Sequence, residues 1–226
     1  MAIKLTSTQT ETNRVVVLVY GKSGVGKTRL IRTAPKPLII STEKKLLSLR
    51  RDNIPLLKVA TLDEIDEVLN LLEHDERFQR FETICLDSIS DMAERILDSE
   101  KQRNKDKRAA YGALYDEMII RIKRFRDLER FHIYFSAKEE RLVDDTGLET
   151  ITSYQPSTPG SKLGAQLPYV LDEVFRYMVG RNKDGKTVKW LSTCEEPEHA
   201  GKDSSGALDR RERPDLTAIF NKIANS

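Results

Sequence analysis

VVVLVYGKSGVGKT, residues 15–28, passes from an unbroken apolar run into a glycine-rich loop and then into residues that open a helix. Residues 15–20 show no alternation of polar and apolar side chains, the pattern of a strand buried on both faces. Gly21, Gly26, Lys27 and Thr28 meet the spacing GxxxxGK[ST]. The chemistry behind that spacing is anion capture. Glycines let the main chain wrap tightly, successive N–H groups turn toward one point, and an ammonium group arrives beside them. A strand that ends in such a loop is built to hold phosphate groups.

Working outward, Ser23, Gly24, Val25 and Arg29 complete the expected cradle, and Lys22 is expected to face solvent. In a loop of this kind Lys27 bridges the β- and γ-phosphates of ATP and the Thr28 hydroxyl ligates Mg²⁺. The metal shell also needs an acid at the tip of a neighbouring strand, and Asp87, after the apolar residues of TICLD, occupies that place. Helix N-capping is the alternative reading of Asp87, a role that Ser88 can take instead. Asp91, one turn later, is less apt as a ligand. Hydrolysis requires a carboxylate to orient water, and Glu43 at the end of PLIISTE is the best placed candidate, against the plainer reading of a solvated acid. The expected catalytic set is therefore Lys27, Glu43 and Asp87, with Thr28 and Asp87 on the metal. Lys138, just past HIYFSA, is a candidate sensor of the γ-phosphate.

The rest of the chain alternates strand-like and helix-like segments. Residues 37–42 read as a second strand, 54–60 as a weaker one, 83–89 as a third core strand and 132–137 as a fourth. Thr61 and Glu64 form a capping-box pair ahead of Leu62, Ile65, Val68, Leu69 and Leu72 at helical spacing. A second amphipathic stretch carries Met92, Ile96 and Leu97, and a third, about residues 111–130, carries Leu114, Met118, Ile122 and Phe125. Asp145, Thr146 and Gly147 look like a hairpin turn, and together with the Pro/Gly/Ser segment that follows it the stretch 139–168 is expected to be a long mobile loop. Residues 172–180 and 187–195 flank a good hairpin turn at 182–185, and residues 215–224 close the chain as a helix. This order predicts one α/β domain over residues 1–226, with a flexible segment at 1–13. Its sheet is mostly parallel, flanked by helices and finished by antiparallel strands near the C-terminal end. Ligands of such sheets sit at the carboxyl ends of the strands, where the candidate residues fall.

Composition sets the bounds. With 38% hydrophobic and 33% charged residues the chain is polar but foldable, and its net charge of +2 neither demands nor excludes a polyanionic partner. No apolar run approaches the roughly 20 residues of a membrane span and the N-terminus lacks a signal-peptide core, so a cytoplasmic protein is expected. Cys85 and Cys194 have no metal-site spacing and read as apolar fillers in strand-like runs.

With VVVLVYGKSGVGKT, PLIISTE, TICLDSIS, HIYFSAKEE and LPYVLDEVFRYMVG in this order, the chain resembles RecA-like phage nucleotide-binding proteins, a group that includes single-strand annealing ATPases. The resemblance spans most of the chain. It implies a RecA-like P-loop NTPase fold with a strand between the phosphate-loop strand and the strand of the metal acid. It also implies ATP and Mg²⁺ as ligands, single-stranded DNA as partner, and assembly into a homo-oligomeric ring or filament. A phage or host single-strand binding protein is a further partner of that reading. Such proteins grip DNA with loops that here correspond to Lys101, Arg103, Lys105, Lys107 and Arg108, and to the segment with Tyr154, Lys162 and Tyr169. Phosphate neutralisation plus stacking would give sequence-independent binding, against the plainer readings of a solvated junction and packed tyrosines. Arg181, Arg210, Arg211 and Arg213 are candidates for an arginine finger offered to a neighbour. No sizeable domain precedes the first strand, so annealing or loading is expected rather than strand exchange. Two other functions compete: an ATP-gated protein-interaction module without DNA contact, and a small-molecule phosphotransferase, disfavoured by the lack of an arginine-rich lid.

Overall fold

A computed structural model describes residues 13–43, 46–145 and 150–226. In chain order its elements are β1 (Val16–Gly21), α1 (Lys27–Leu30), β2 (Pro37–Ser41), β3 (Leu56–Lys58), α2 (Leu62–His74), β4 (Thr83–Asp87), α3 (Ile89–Arg103), α4 (Lys107–Arg126), β5 (His132–Asp145), β6 (Thr150–Ser157), α5 (Ser161–Val170), β7 (Glu173–Arg181), β8 (Thr187–Ser192), β9 (Lys202–Asp203), β10 (Arg211–Glu212) and α6 (Leu216–Ala224).

Residue parity along the central strands explains the layers. Val16, Leu18 and Tyr20 point into one core, shared with Ile84, Leu86, Ile133 and Phe135 and covered by α2, α3, α4 and α5. Val17 and Val19 point the other way, with Ile39, Cys85 and Tyr134, into a second core closed by Leu30, Ile31, Ile219 and Phe220. A strand flanked by two cores has no solvated face, which is why β1 is apolar throughout. The α2 capping box forms as expected, with the Thr61 hydroxyl accepting from Glu64 N and the Glu64 carboxylate accepting from Thr61 N.

The strand order is β10-β8-β7-β1-β5-β4-β2-β3, with β6 paired to β5 and β9 to β7. The pairs β1–β5, β1–β7, β5–β4, β4–β2 and β2–β3 are parallel, while β6, β8, β9 and β10 run antiparallel to their partners. The mostly parallel α/β sheet with antiparallel additions is thus the one expected, and β5 lies between β1 and β4. Register brings the ends of β1, β2 and β4 level with the middle of β5: Gly21 faces Lys138, and Ser41 faces Asp87.

The expected mobile loop over 139–168 is corrected. β5 continues to Asp145, β6 returns antiparallel to it from Thr150 to Ser157, and α5 follows. Pro156 is compatible with β6 because, on the side away from β5, the strand is bridged to the 198–200 segment only at Tyr154 among the described residues, so the missing N–H is tolerated there. Leu163, Leu167 and Leu171 are buried at four-residue spacing, which seats α5 on the core despite Pro168 in its last turn. Thr146 and Gly147 of the expected turn, and residues 1–12 of the expected flexible segment, lie outside the described residues. Cys194 lies beyond β8 rather than inside a strand, with Sγ 3.6 Å from Glu196 Oε1; Cys85 is fully buried.

Candidate nucleotide site

Gly21 ends β1 where a side chain is impossible: a Cβ there would stand 2.9 Å from the Tyr177 carbonyl oxygen on β7. Gly24 and Gly26 adopt φ of 74° and 123°, which L side chains avoid, so the loop can curl only because these positions are glycine. Lys27 follows and folds back over the loop it closes. Its Nζ donates to the carbonyl oxygens of Gly21 at 2.6 Å and Lys22 at 3.0 Å. The Val25 side chain is buried in the second core, so of the expected cradle Val25 has only its main chain to offer a ligand.

Asp87 ends β4 and is 2% exposed. Its Oδ2 accepts a 2.7 Å hydrogen bond from the Thr28 hydroxyl, and its Oδ1 accepts from the Ser136 hydroxyl on β5. The α3 N-terminus is capped by Ser88, whose side chain accepts from Asp91 N, which leaves Asp87 to the cavity. Tyr134 fixes the start of α1 from below by donating to the Lys27 carbonyl at 2.9 Å.

A cavity of about 700 Å³ opens above these groups, lined by Ser23, Gly24, Gly26, Lys27, Thr28, Arg29, Glu43, Asp87, Lys138, Glu139 and Lys189, among others. It holds the whole expected catalytic set, Lys27, Glu43 and Asp87. Burial pulls the Lys27 pKa down, opposed by Asp87, Glu139, Asp91 and Glu43. Partial desolvation at the cavity wall also raises the Glu43 carboxyl above its ordinary value, reinforced by repulsion from Asp87 and Asp91 and opposed by Lys138 and Lys27. Glu43 is exposed at the cavity wall, and its own N–H donates to Ser41 Oγ at 3.0 Å. Lys138, the candidate sensor, is paired with Asp91 at 2.9 Å and Glu94 at 2.7 Å. Burial would lower its pKa, but these acids outweigh that and raise it.

The donor set fits a hard divalent cation: a hydroxyl and a carboxylate oxygen, adjacent, at the mouth of an amide-lined loop. The cradle is equally suited to a polyphosphate, with room for no side chain at Gly21 and an ammonium already folded across it. A sequence family described as an AAA domain matches residues 13–205. The chain belongs to this AAA domain family. The match includes the loop, Glu43, Asp87 and the β7–β8 hairpin, so this AAA domain is a P-loop NTPase with a nucleotide-binding cradle. No curated protein matches the chain. Among the described residues no helix is long and apolar enough to cross a membrane.

The structure adds residues that sequence reading missed. Ser136 follows Phe135, the register partner of Leu86, and so reaches Asp87 from the adjacent strand. Glu139 and Arg176 form a buried pair at 2.7 Å beside the cavity, and the Arg176 guanidinium lies 3.8 Å from the Tyr154 ring centroid. Lys189 reaches from β8 to donate to the Val25 carbonyl at 2.5 Å. It is 164 positions away in sequence and stands in no motif.

The residues proposed for DNA fall into one neighbourhood of the AAA domain. Lys101 at the end of α3 lies over the Tyr111 ring of α4 at 5.6 Å, and Lys162 of α5 lies over Tyr115 at 4.3 Å. Lys105, Lys107 and Arg108 are exposed at the α3–α4 junction; Arg103 is paired with Glu100 at 3.3 Å. Of the tyrosines, Tyr169 is 82% exposed, whereas Tyr154 has a ring face covered by Arg176, so base stacking is withdrawn for Tyr154. None of Arg181, Arg210, Arg211 and Arg213 lines the phosphate cavity of its own chain. Arg210 pairs with Glu196 at 2.5 Å, and Arg211 lies over Trp190 at 5.0 Å.

Proposed function

We propose that this AAA domain binds and hydrolyses ATP with Mg²⁺ and couples that cycle to single-stranded DNA in the annealing or loading of strands, as in phage recombination. One observation carries the coupling. Ser90 Oγ accepts from Lys138 N at 2.9 Å and donates to the Ser157 carbonyl at 2.6 Å. The hydroxyl of Ser90 on α3 thus braces the Lys138–Ser157 pair of the β5–β6 ladder beside the cavity, and from Ser157 the chain enters α5 and reaches Lys162 beside the basic junction. A nucleotide that moves Lys138 pulls on the element that carries the cationic patch. In this reading Lys101, Arg103, Lys105, Lys107, Arg108 and Lys162 neutralise phosphates, and Tyr169 offers ring surface for stacking. Assembly into a ring or filament, with one of the four candidate arginines reaching a neighbouring site, belongs to the same proposal.

The test is fluorescence anisotropy of labelled single strands with and without ATP and Mg²⁺, over a range of salt. Salt-sensitive binding that changes with nucleotide is expected, and absence of binding in both states removes the DNA half of the proposal. A second reading, an ATP-gated protein-interaction module, is favoured by the β5–β6 hairpin. Leu142, Val143 and Ile151 are 40%, 54% and 45% exposed there, more apolar surface than a solvated hairpin needs. Nucleotide binding with no DNA affinity would leave that reading in place.

A further inference from the structure

We infer that Lys189 is a second phosphate-binding cation of the nucleotide site, supplied in cis by the antiparallel strand β8. The inference rests on the nucleotide reading of the cavity and adds a residue that the phosphate-loop motif does not contain. β8 lies between β7 and β10, and its register with β7 pairs Lys189 with Val179. From there the side chain crosses to the neighbouring loop, past the Tyr177 ring at 5.9 Å, and ends with Nζ 2.5 Å from the Val25 carbonyl oxygen. Nζ also stands 3.6 Å from the point where a Gly26 Cβ would be, which places the ammonium directly over the phosphate loop.

Lys189 and Lys27 line the same cavity, Lys27 half-buried and Lys189 exposed. Each ammonium donates to carbonyl oxygens of the loop, Lys27 to Gly21 and Lys22, Lys189 to Val25. Neutral carbonyls are weak partners for an ammonium compared with a phosphate oxygen, whose hydrogen bonds are charge-assisted. Among the described residues no carboxylate pairs with Lys189 within 4.0 Å, unlike Lys138 on the opposite wall, which holds Asp91 and Glu94. Its charge is thus uncompensated and close to amides that hold phosphates. A polyphosphate seated in the loop would bring anionic oxygens to an ammonium that needs only a rotamer change to meet them. The loop is then clamped from two sides, by Lys27 from its own helix and by Lys189 from the hairpin.

The test uses the full chain and the substitutions Lys189→Met, which keeps the apolar stem over Tyr177, and Lys189→Arg, which keeps the charge. ATP and ADP affinities are measured by calorimetry at several salt concentrations, with Lys27→Ala as control. Loss of one charge-assisted contact predicts about tenfold weaker ATP binding in Lys189→Met and a shallower salt dependence, with recovery in Lys189→Arg. ATP affinity within twofold of wild type in Lys189→Met, while Lys27→Ala abolishes binding, would overturn the inference and leave the nucleotide site intact. A wild-type protein without affinity for ATP would overturn both. Mixing Lys189→Met with Lys27→Ala separates cis from trans. Contribution within one chain predicts no recovery of tight sites, and recovery would overturn the cis assignment.

Discussion

Thr28 Oγ1 and Asp87 Oδ2 lie 2.7 Å apart although 59 residues separate them in sequence. One comes from the first turn after the phosphate loop, the other from the tip of β4, and the strand between their parent strands, β5, supplies Ser136 to hold the second carboxylate oxygen. A hydroxyl and a carboxylate so placed share one task, that of completing the shell of a cation bound to phosphate.

Asp87→Asn keeps the size and the hydrogen-bonding reach toward Thr28 and Ser136 but removes the charge. Expected is a protein with unchanged thermal stability to within about 1 kcal/mol, retained ATP binding, and Mg²⁺-dependent hydrolysis reduced by about a hundredfold or more. Steady-state ATPase rates across a Mg²⁺ titration check this, and full turnover at ordinary Mg²⁺ would remove Asp87 from the metal role.

Glu43 stands at the cavity wall with its carboxyl raised by partial desolvation and by the nearby Asp87 and Asp91. A carboxylate of higher pKa is a stronger base toward an attacking water. Glu43→Gln should lower kcat by about a hundredfold while leaving ATP affinity nearly unchanged. In the wild type, activity should fall as pH drops through the raised pKa, because protonated Glu43 cannot orient water as a base. In Glu43→Gln that acid limb should be absent from the residual rate. An acid limb identical in both proteins would assign it to another group.

The basic junction makes a separable prediction. Replacing Lys105, Lys107 and Arg108 together by Ala removes three exposed cations that pair with nothing in the core. Affinity for single strands should fall, and the slope of log affinity against log salt should flatten by about 0.7 per lost phosphate contact. Nucleotide affinity should not change. An unaltered slope would return the junction to an ordinary solvated turn.

These residues differ in how far sequence reveals them. The phosphate loop and Asp87 were legible because their chemistry is local: a short run of residue types at fixed spacing at the end of a buried strand. The parallel sheet was legible for a related reason, since strands apolar on both faces need two covering layers. The segment 139–168 was misread because its prolines, glycine and serines suggest a loop. β6 accepts Pro156 on a side bridged only at Tyr154 among the described residues, and the four-residue spacing of Leu163, Leu167 and Leu171 outweighs Pro168 in the last turn of α5. Arg176, Glu139 and Lys189 were not legible at all. Each acquires its meaning from a partner far along the chain, and nothing in TVKWLS marks its lysine as reaching the loop of Val25.

Glu173 gives the last prediction, one about stability. It sits on β7 at 1% exposure, with Oε1 accepting from Ser205 N at 3.2 Å and Oε2 buried without a hydrogen-bond partner. Burial first, and then Asp203, pushes its carboxyl up to about 8. In the unfolded chain an ordinary glutamate ionises near 4.3. Below that value both states hold the proton and no penalty exists. As pH rises toward 8 the unfolded state releases its proton while the folded state retains it, so stability declines across this window and levels off above it. Glu173→Gln keeps the shape and removes the titration. Expected is a smaller loss of unfolding free energy between pH 5 and pH 8 in the variant, the difference amounting to about 1 kcal/mol or more. His132 also titrates abnormally, lowered to about 4 by burial, with Arg14 assisting and Glu82 opposing. It acts in the opposite sense, since the unfolded state then binds the extra proton as pH falls from the ordinary histidine value toward 4. That contribution is common to both proteins and cancels in the comparison. Denaturant unfolding at four or five pH values decides the matter, and parallel stability curves for the two proteins would show that Glu173 is ionised in the fold.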